Sequence, residues 1–133
     1  MNMRKTFLAT LCLFSGMTMY AQQIDVQPTP QQVKEATATI ALSGNYQFNG
    51  EGEANPYAIS ALKSLLNSKQ SAKEGMRIYI GERGDKSVRK YNKFIPKQEE
   101  GYFIRISPKE IVLAGNDERG TFYAVQTLAQ LLE

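Results

Sequence analysis

The sequence predicts an α+β fold, a small mixed β-sheet with two main helices packed on one of its faces. Two segments, near residues 56–66 and 118–132, carry apolar residues at helical spacings of three and four. Several shorter segments alternate apolar and polar residues, as half-buried strands do. Glycine, proline and asparagine separate these segments and mark the turns between them. No internal repeat is evident, so we expect one domain.

Residues 1–21 have the composition of a secretory signal peptide. Arg4 and Lys5 supply a cationic start, Phe7 to Tyr20 is largely apolar, and Ala21 is a small residue ahead of a polar stretch. The apolar run has about fourteen residues, fewer than the roughly twenty that a helix needs to span a bilayer. We therefore expect cleavage near Ala21, export to the periplasm or the extracellular space, no membrane contact afterwards, and a domain of residues 22–133.

The charge balance gives little reason to expect a nucleic-acid partner. The full sequence has 16 basic and 13 acidic residues, a net charge of +3. Two of the basic residues, Arg4 and Lys5, lie in the leader, so the remaining chain carries +1. The one cysteine, Cys12, is also in the leader, so we expect no disulfide in the domain.

The first part of the domain reads as an extended lead-in followed by short strands. Residues 22–32 are rich in glutamine and contain two prolines, which favour an extended chain. Residues 38–42 predict a short strand, and Tyr46 and Phe48 alternate with polar residues as in a second one. Residues 49–53 contain two glycines and predict a loop.

A helix follows, beginning at an Asn55-Pro56 pair. Asparagine is a favoured N-cap, and proline fits the first helical position because it has no amide hydrogen to leave unpaired. Apolar residues then recur along one helix face, at Ala58, Ile59, Leu62, Leu65 and Leu66. Residues 76–80, bounded by glycines, alternate as a strand does.

The remaining residues predict a weaker helix, a hairpin and a long final helix. Residues 87–95 place Val88, Tyr91 and Ile95 on one side, and Pro96 ends the segment. Residues 102–106 and 111–114 form the hairpin strands. Asp117 is the expected N-cap of a helix from about Glu118 to Leu132. We assign Tyr123, Gln126, Thr127 and Gln130 to the outer face of that helix.

The side chains available for catalysis are few. The chain has no histidine, and no cysteine after the leader, which excludes the usual Ser-His-Asp and Cys-His arrangements and zinc sites built from these ligands. The carboxylates occur as neighbours: Glu99 with Glu100, Asp117 with Glu118, and Glu51 near Glu53. We expect solvated or helix-capping roles for all three pairs. We assign no catalytic, cofactor-binding or metal-binding residue in this chain.

Two other segments partly match known binding motifs. Residues 81–87, Gly-Glu-Arg-Gly-Asp-Lys-Ser, lie between a strand and a helix, but the glycine spacing and the Asp85 charge do not fit a phosphate loop. Basic residues interleave with Tyr91 and Phe94 along residues 86–97, as in a nucleic-acid patch or a sugar-stacking platform. We favour a plain turn for the first segment. For the second we favour the solvent-exposed face of an amphipathic helix whose aromatic side chains point inward.

The segment from Glu100 to Leu132 contains Glu-Gly-Tyr at 100–102, a strand that ends in Ala-Gly, and the run from Gly120 to Leu132. This pattern resembles the small N-terminal α+β domain of exported β-N-acetylglucosaminidases, glycoside hydrolase families 20 and 84. Similarity to the bacterial family 84 group, the O-GlcNAcase or hyaluronidase-like enzymes, extends over residues 26–33, 53–56 and 81–91. It therefore covers essentially the whole domain.

The resemblance implies that catalysis occurs elsewhere. In these families a (β/α)8 barrel follows the domain and carries two acidic residues, and the substrate's 2-acetamido group acts as nucleophile. Neither acidic motif is present here, so we expect a non-catalytic domain that lacks its barrel and that meets the glycoconjugate substrate only through the parent enzyme. The alternative is a free-standing exported module that binds a glycan or a protein.

Overall fold

The structure is a computed structural model that describes residues 44–68 and 70–132. The leader, the lead-in at 22–32 and the predicted strand at 38–42 lie outside the described residues. The elements are, in chain order, β1 (Tyr46–Asn49), α1 (Pro56–Leu65), β2 (Met76–Glu82), a 3-10 helix (Arg89–Phe94), β3 (Tyr102–Ile106), β4 (Glu110–Gly115) and α2 (Glu118–Leu131). Each of these elements was predicted from the sequence, within a few residues at its ends.

The four described strands form one mixed sheet in the order β1-β2-β4-β3. β1 pairs with β2, and β2 pairs with β4, in parallel. β3 and β4 are the predicted antiparallel hairpin. The two parallel pairs need crossover connections, and α1 and the 3-10 segment lie in those connections. The predicted α+β class and the mixed sheet are confirmed.

Both main helices contribute to a single apolar core with one face of the sheet, as predicted. Successive strand residues point to opposite faces, so β2 directs Met76, Ile78 and Ile80 into this core. α1 adds Ala58, Ile59 and Leu62, and α2 adds Ala124, Val125 and Leu128. Ile78, Ile80, Leu62 and Leu128 have no exposed surface. Burial of side chains of this size stabilises a fold by about 1.5–3 kcal/mol each.

The opposite face of the sheet is covered by the 3-10 helix. Tyr91 and Phe94 stack on Phe103 of β3, with ring centroids 6.0 and 5.4 Å apart. The inward direction of both aromatics was predicted, but the expected helix over 87–95 is shorter and more tightly wound. Ile95 is extended, with ψ 121°, because the residue before a proline disfavours the helical region.

Both main helices begin as predicted. The Asn55 side chain accepts a hydrogen bond from the Tyr57 amide at 3.0 Å, with Pro56 at the first helical position. The Asp117 side chain accepts one from the Gly120 amide at 2.7 Å. Each cap satisfies a first-turn amide that has no partner within the helix.

The predicted outer face of α2 was wrong at Thr127 and holds only in part at Tyr123, which packs against the core. Thr127, predicted on the outer face, is fully buried. Its hydroxyl lies 2.8 Å from the hydroxyl of Tyr102, itself 5% exposed. The physical reason is that a buried tyrosine hydroxyl needs a polar partner, and α2 supplies one from a residue that periodicity alone assigns to solvent. Burial raises the pKa of Tyr102 above its ordinary value.

The connection between β4 and α2, residues 115–120, brings backbone against backbone. A β-carbon on Gly115 would lie 2.1 Å from the Thr121 nitrogen, and one on Gly120 would lie 2.2 Å from the Gly101 oxygen. The Thr121 hydroxyl donates to the Gly81 carbonyl at 3.1 Å. Gly120 therefore approaches the backbone just before β3 closely.

We expect Gly120→Ala to destabilise the fold although alanine favours helices over glycine by about 1 kcal/mol. The added methyl meets a carbonyl that can move only with β3, so the free energy of unfolding should fall by roughly 1–3 kcal/mol. Chemical denaturation measures the change. Gly52→Ala is the matched control, because nothing lies within 4 Å of its added carbon. Equal stability of the Gly120→Ala and Gly52→Ala variants would contradict this packing.

We expect Thr127→Val to lower the free energy of unfolding by about 1–3 kcal/mol, because it leaves the Tyr102 hydroxyl buried without its partner. Tyr102→Phe combined with Thr127→Val should cost less than the sum of the two single changes. A double-mutant cycle by thermal or chemical unfolding measures this coupling. Strictly additive costs would show that the two hydroxyls do not stabilise each other.

Candidate functional site

A groove lies where the N-terminal ends of α1 and α2 meet. Its volume is about 390 Å³, within the roughly 300–1,000 Å³ range of small-molecule sites. It is lined by Asn55, Tyr57, Glu118, Arg119, Phe122 and Tyr123. Two of these residues come from the start of α1 and its cap, and four come from the first turns of α2.

The helix caps hold the two walls of the groove in place. The Asn55 side chain faces both helices, because its oxygen caps α1 while its amide nitrogen lies 3.5 Å from the Glu118 carbonyl. Asp117 caps α2 with one carboxylate oxygen and accepts from the Glu100 amide with the other, at 2.8 Å. That second bond holds Glu100 in the left-handed region, at φ 62°, which is uncommon for a residue other than glycine.

Tyr57 is the most conspicuous side chain of the groove. It is 79% exposed, and no other large hydrophobic side chain in the described part of the chain is classed as exposed. Phe122 and Tyr123 are half-buried against the core. Sequence reasoning passed over Tyr57; the available signal was an aromatic residue that stands outside the apolar stripe of α1.

The lining of the groove carries one negative and one positive side chain, Glu118 and Arg119. Arg119 forms an ion pair with Glu100 at 3.1 Å, and Glu118 lies beside it on the first turn of α2. Both partners of the ion pair are well exposed, so the pair adds little stability. Glu118 stands where negative charge stabilises a helix N-terminus, as predicted for the Asp117-Glu118 pair.

The other predicted carboxylates make structural contacts. Glu51 forms an ion pair with Lys63 of α1. Glu53 accepts a hydrogen bond from the Lys86 amide at 3.0 Å. Glu99 is exposed, while Glu100 holds Arg119. These neighbours do not converge on the groove in the way that a pair of catalytic acids would.

The segment 81–87 folds as a turn filled by its own side chains. Asp85 accepts from the Glu82 amide at 2.8 Å, and the Ser87 hydroxyl donates to the Ile80 carbonyl at 2.8 Å. A β-carbon on Gly81 would lie 2.7 Å from that hydroxyl. The space in which a phosphate loop would hold its anion is thus occupied, in agreement with the predicted plain turn.

The basic stretch 86–97 presents its cations outward and its aromatics inward. Lys90 lies over the rings of Tyr79 and Tyr91, 5.5 and 5.0 Å from their centroids. Lys93 lies 5.0 Å from the centroid of Phe94. Because Tyr91 and Phe94 also stack on the sheet, their rings are not free to stack on bases or sugars.

Sequence reasoning also missed Arg83, which follows β2 and links the β4–α2 connection to the 3-10 helix. Its side chain donates to the Asn116 side chain at 2.8 Å, to the Asn92 carbonyl at 3.0 Å, and to the Ile95 carbonyl. The fork of an arginine side chain can serve three acceptors at once. The partners lie 9 to 33 residues away, so no local pattern in the sequence predicts these hydrogen bonds.

Within residues 44–68 and 70–132, no group of three or more candidate ligands could hold a metal ion. No helix in those ranges is long and apolar enough to cross a membrane.

Glu82, the last residue of β2, lies close to three other carboxylates. Its burial and the neighbouring charges of Asp85, Glu118 and Asp117 raise the pKa of its carboxyl above the ordinary value. A raised pKa in the folded state means that the unfolded chain ionises first as the pH rises. The fold therefore loses stability between pH 4.5, the ordinary pKa, and the raised pKa.

We expect Glu82→Gln to remove that loss, so that the variant gains stability over the wild type at pH 7 and not at pH 3. Chemical unfolding across the pH range measures the difference. Glu74→Gln, an exposed carboxylate before the other end of β2, is the control for the change in net charge. The same pH profile in both variants would contradict a local origin at Glu82.

Comparison with known proteins places this architecture in a family. Residues 23–133 match the family described as glycosyl hydrolase family 20, domain 2. A β-hexosaminidase of Porphyromonas gingivalis is 28% identical over 143 residues, which cover 97% of this chain and 18% of that protein. The solved structure of CpGH84B matches with a TM-score of 0.68 and 26% identity, over 81% of this chain and 20% of that one.

The chain thus spans about a fifth of the length of these two relatives. The resemblance drawn from Glu100–Leu132 and from the earlier segments is confirmed, with similarity to both family 20 and family 84 proteins. The family match covers most of the chain, and the chain belongs to glycosyl hydrolase family 20, domain 2, a domain of glycoside hydrolases.

Proposed function

We propose that this chain is a non-catalytic domain of an exported β-N-acetylglucosaminidase. The observation that carries the proposal is the family match over residues 23–133, in relatives about five times as long as the matched segment. The domain would support a catalytic (β/α)8 barrel that lies outside this chain. That barrel would cleave terminal N-acetylglucosamine or O-linked N-acetylglucosamine from glycoconjugates.

The chemistry of the described residues supports a non-catalytic role. Hydrolysis by paired carboxyl groups requires two acids about 5–9.5 Å apart across a cleft. The groove has one carboxylate in its lining, Glu118, and one guanidinium, that of Arg119. The sequence offers no histidine as an alternative acid or base. In the mechanism that the resemblance implies, the substrate's acetamido group is the nucleophile and two barrel acids assist it.

Export and partners form part of the same proposal. The cationic start and short apolar run of residues 1–21 support secretion to the periplasm or the extracellular space. The catalytic barrel is the proposed partner of this domain. The small net charge that remains without the leader, and the inward aromatics of the 3-10 helix, argue against a nucleic-acid partner.

A second candidate function is a free-standing exported module that binds a glycan or a protein. The groove lining of Tyr57, Phe122 and Tyr123 favours it, because aromatic side chains that line a concave surface are typical of ligand sites. The gene downstream of codon 133 distinguishes the two candidates. An open frame that encodes a barrel with a paired-acid segment supports the domain, and a stop codon supports the module.

We expect the chain without its leader to hydrolyse a chromogenic N-acetylglucosaminide no faster than buffer, because both acids of the reaction would lie elsewhere. A β-hexosaminidase assayed in parallel is the positive control, and circular dichroism verifies that the chain is folded. Glu118→Gln is the matched variant, since it removes the carboxylate of the groove. Turnover that this substitution abolishes would overturn the non-catalytic role.

A further inference from the structure

We propose that the groove between the N-terminal ends of α1 and α2 binds a neutral pyranose sugar of an oligosaccharide. Tyr57 and Tyr123 would stack on the sugar ring, while Glu118, Arg119 and Asn55 would bind its hydroxyl groups. This goes beyond the first candidate function, in which the domain meets glycan only through the catalytic part of its parent enzyme. For the second candidate it names the binding site and the class of ligand.

The exposed aromatic side chain is the first observation that supports a sugar. A Tyr57 ring that is 79% exposed contributes little to the core, so its apolar faces stay available to a ligand. One face of a pyranose ring presents C–H groups, and the electron-rich face of an aromatic ring attracts such groups. Phe122 and Tyr123 extend the same apolar lining and rest on the core.

The balance of charge is the second observation. Glu118 and Arg119 bring opposite charges to the groove, and Glu100 already pairs with Arg119. Glu82 lies close to Glu118, Asp117 and Asp85, so an anionic ligand such as a phosphate meets more negative than positive charge. A neutral ligand with many hydroxyl groups can donate to the carboxylate and accept from the guanidinium without that cost.

The third observation is the size of the groove, together with the helix caps that hold its walls in place without a ligand. A volume of about 390 Å³ lies within the range of sites for small ligands. The caps at Asn55 and Asp117, with bonds of 3.0 and 2.7 Å, fix both walls before a ligand arrives. A site that is ordered in advance loses less entropy on binding.

The test titrates the chain without its leader with N,N′,N″-triacetylchitotriose and follows the backbone amides by NMR. This choice of an N-acetylglucosamine probe rests on the proposed function. We expect saturable shifts confined to the groove residues, with a Kd on the order of 1 mM. Tyr57→Ala should weaken binding by about tenfold, and Tyr57→Phe, which keeps the ring, should retain it. Because Tyr57 is exposed, the unfolding midpoint should not change.

Lys90→Ala, on the opposite face of the sheet beside Tyr79 and Tyr91, is the matched control and should leave the Kd unchanged. Cellotriose, which lacks the acetamido groups, tests the stacking separately from the choice of sugar. Binding of either sugar in the groove supports the site. Absence of saturable shifts with both sugars, shifts that map to the Lys90 side, or unchanged affinity in Tyr57→Ala would overturn it. Release of free N-acetylglucosamine would instead contradict the non-catalytic role.

Discussion

The first turn of α2 lies directly against the carboxyl ends of β2 and β4, with no room for a side chain between them. Gly115 and Gly120 allow this approach, because a β-carbon at either position would overlap the backbone at Thr121 or Gly101. The Thr121 hydroxyl then reaches the Gly81 carbonyl at 3.1 Å. Arg83 joins the same place from the other face of the sheet, through Asn116. We call these contacts of residues 115–121 with Gly81, Arg83 and Gly101 the junction. The junction fixes α2, the sheet and the 3-10 segment relative to one another.

The groove depends on this junction. One wall of the groove is formed by the first turns of α2, which the junction holds against the sheet. The Asn55 side chain links α2 to the start of α1. Asp117 and Glu100 serve the same framework, as a helix cap and an ion-pair partner. This use of their carboxylates supports the non-catalytic role that we propose. What the framework leaves open to solvent is an aromatic groove, and that groove is where we infer a ligand.

Local patterns were enough to predict the order of elements, the caps at Asn55 and Asp117, and the inward side of the 3-10 helix. These features depend on residues a few positions apart, which a sequence displays directly. The burial of Thr127 depends on a hydroxyl 25 residues away, and the role of Arg83 on acceptors as far as 33 residues away. The groove brings together Tyr57 and Tyr123 from different helices. Tertiary contacts of this kind leave no periodic signal, so sequence reasoning could not find them.

Native-state hydrogen exchange tests the junction most directly. The amides of Asn116 and Gly120 donate to the Gly101 carbonyl and the Asp117 side chain at 2.8 and 2.7 Å. If the junction opens only with the whole fold, these amides should exchange with the free energy of global unfolding, like Ile80 in the core. The Glu53 amide, which donates to the Gly50 carbonyl in the exposed loop before α1, should exchange by local opening. Exchange of Asn116 and Gly120 as fast as that of Glu53 would contradict the account.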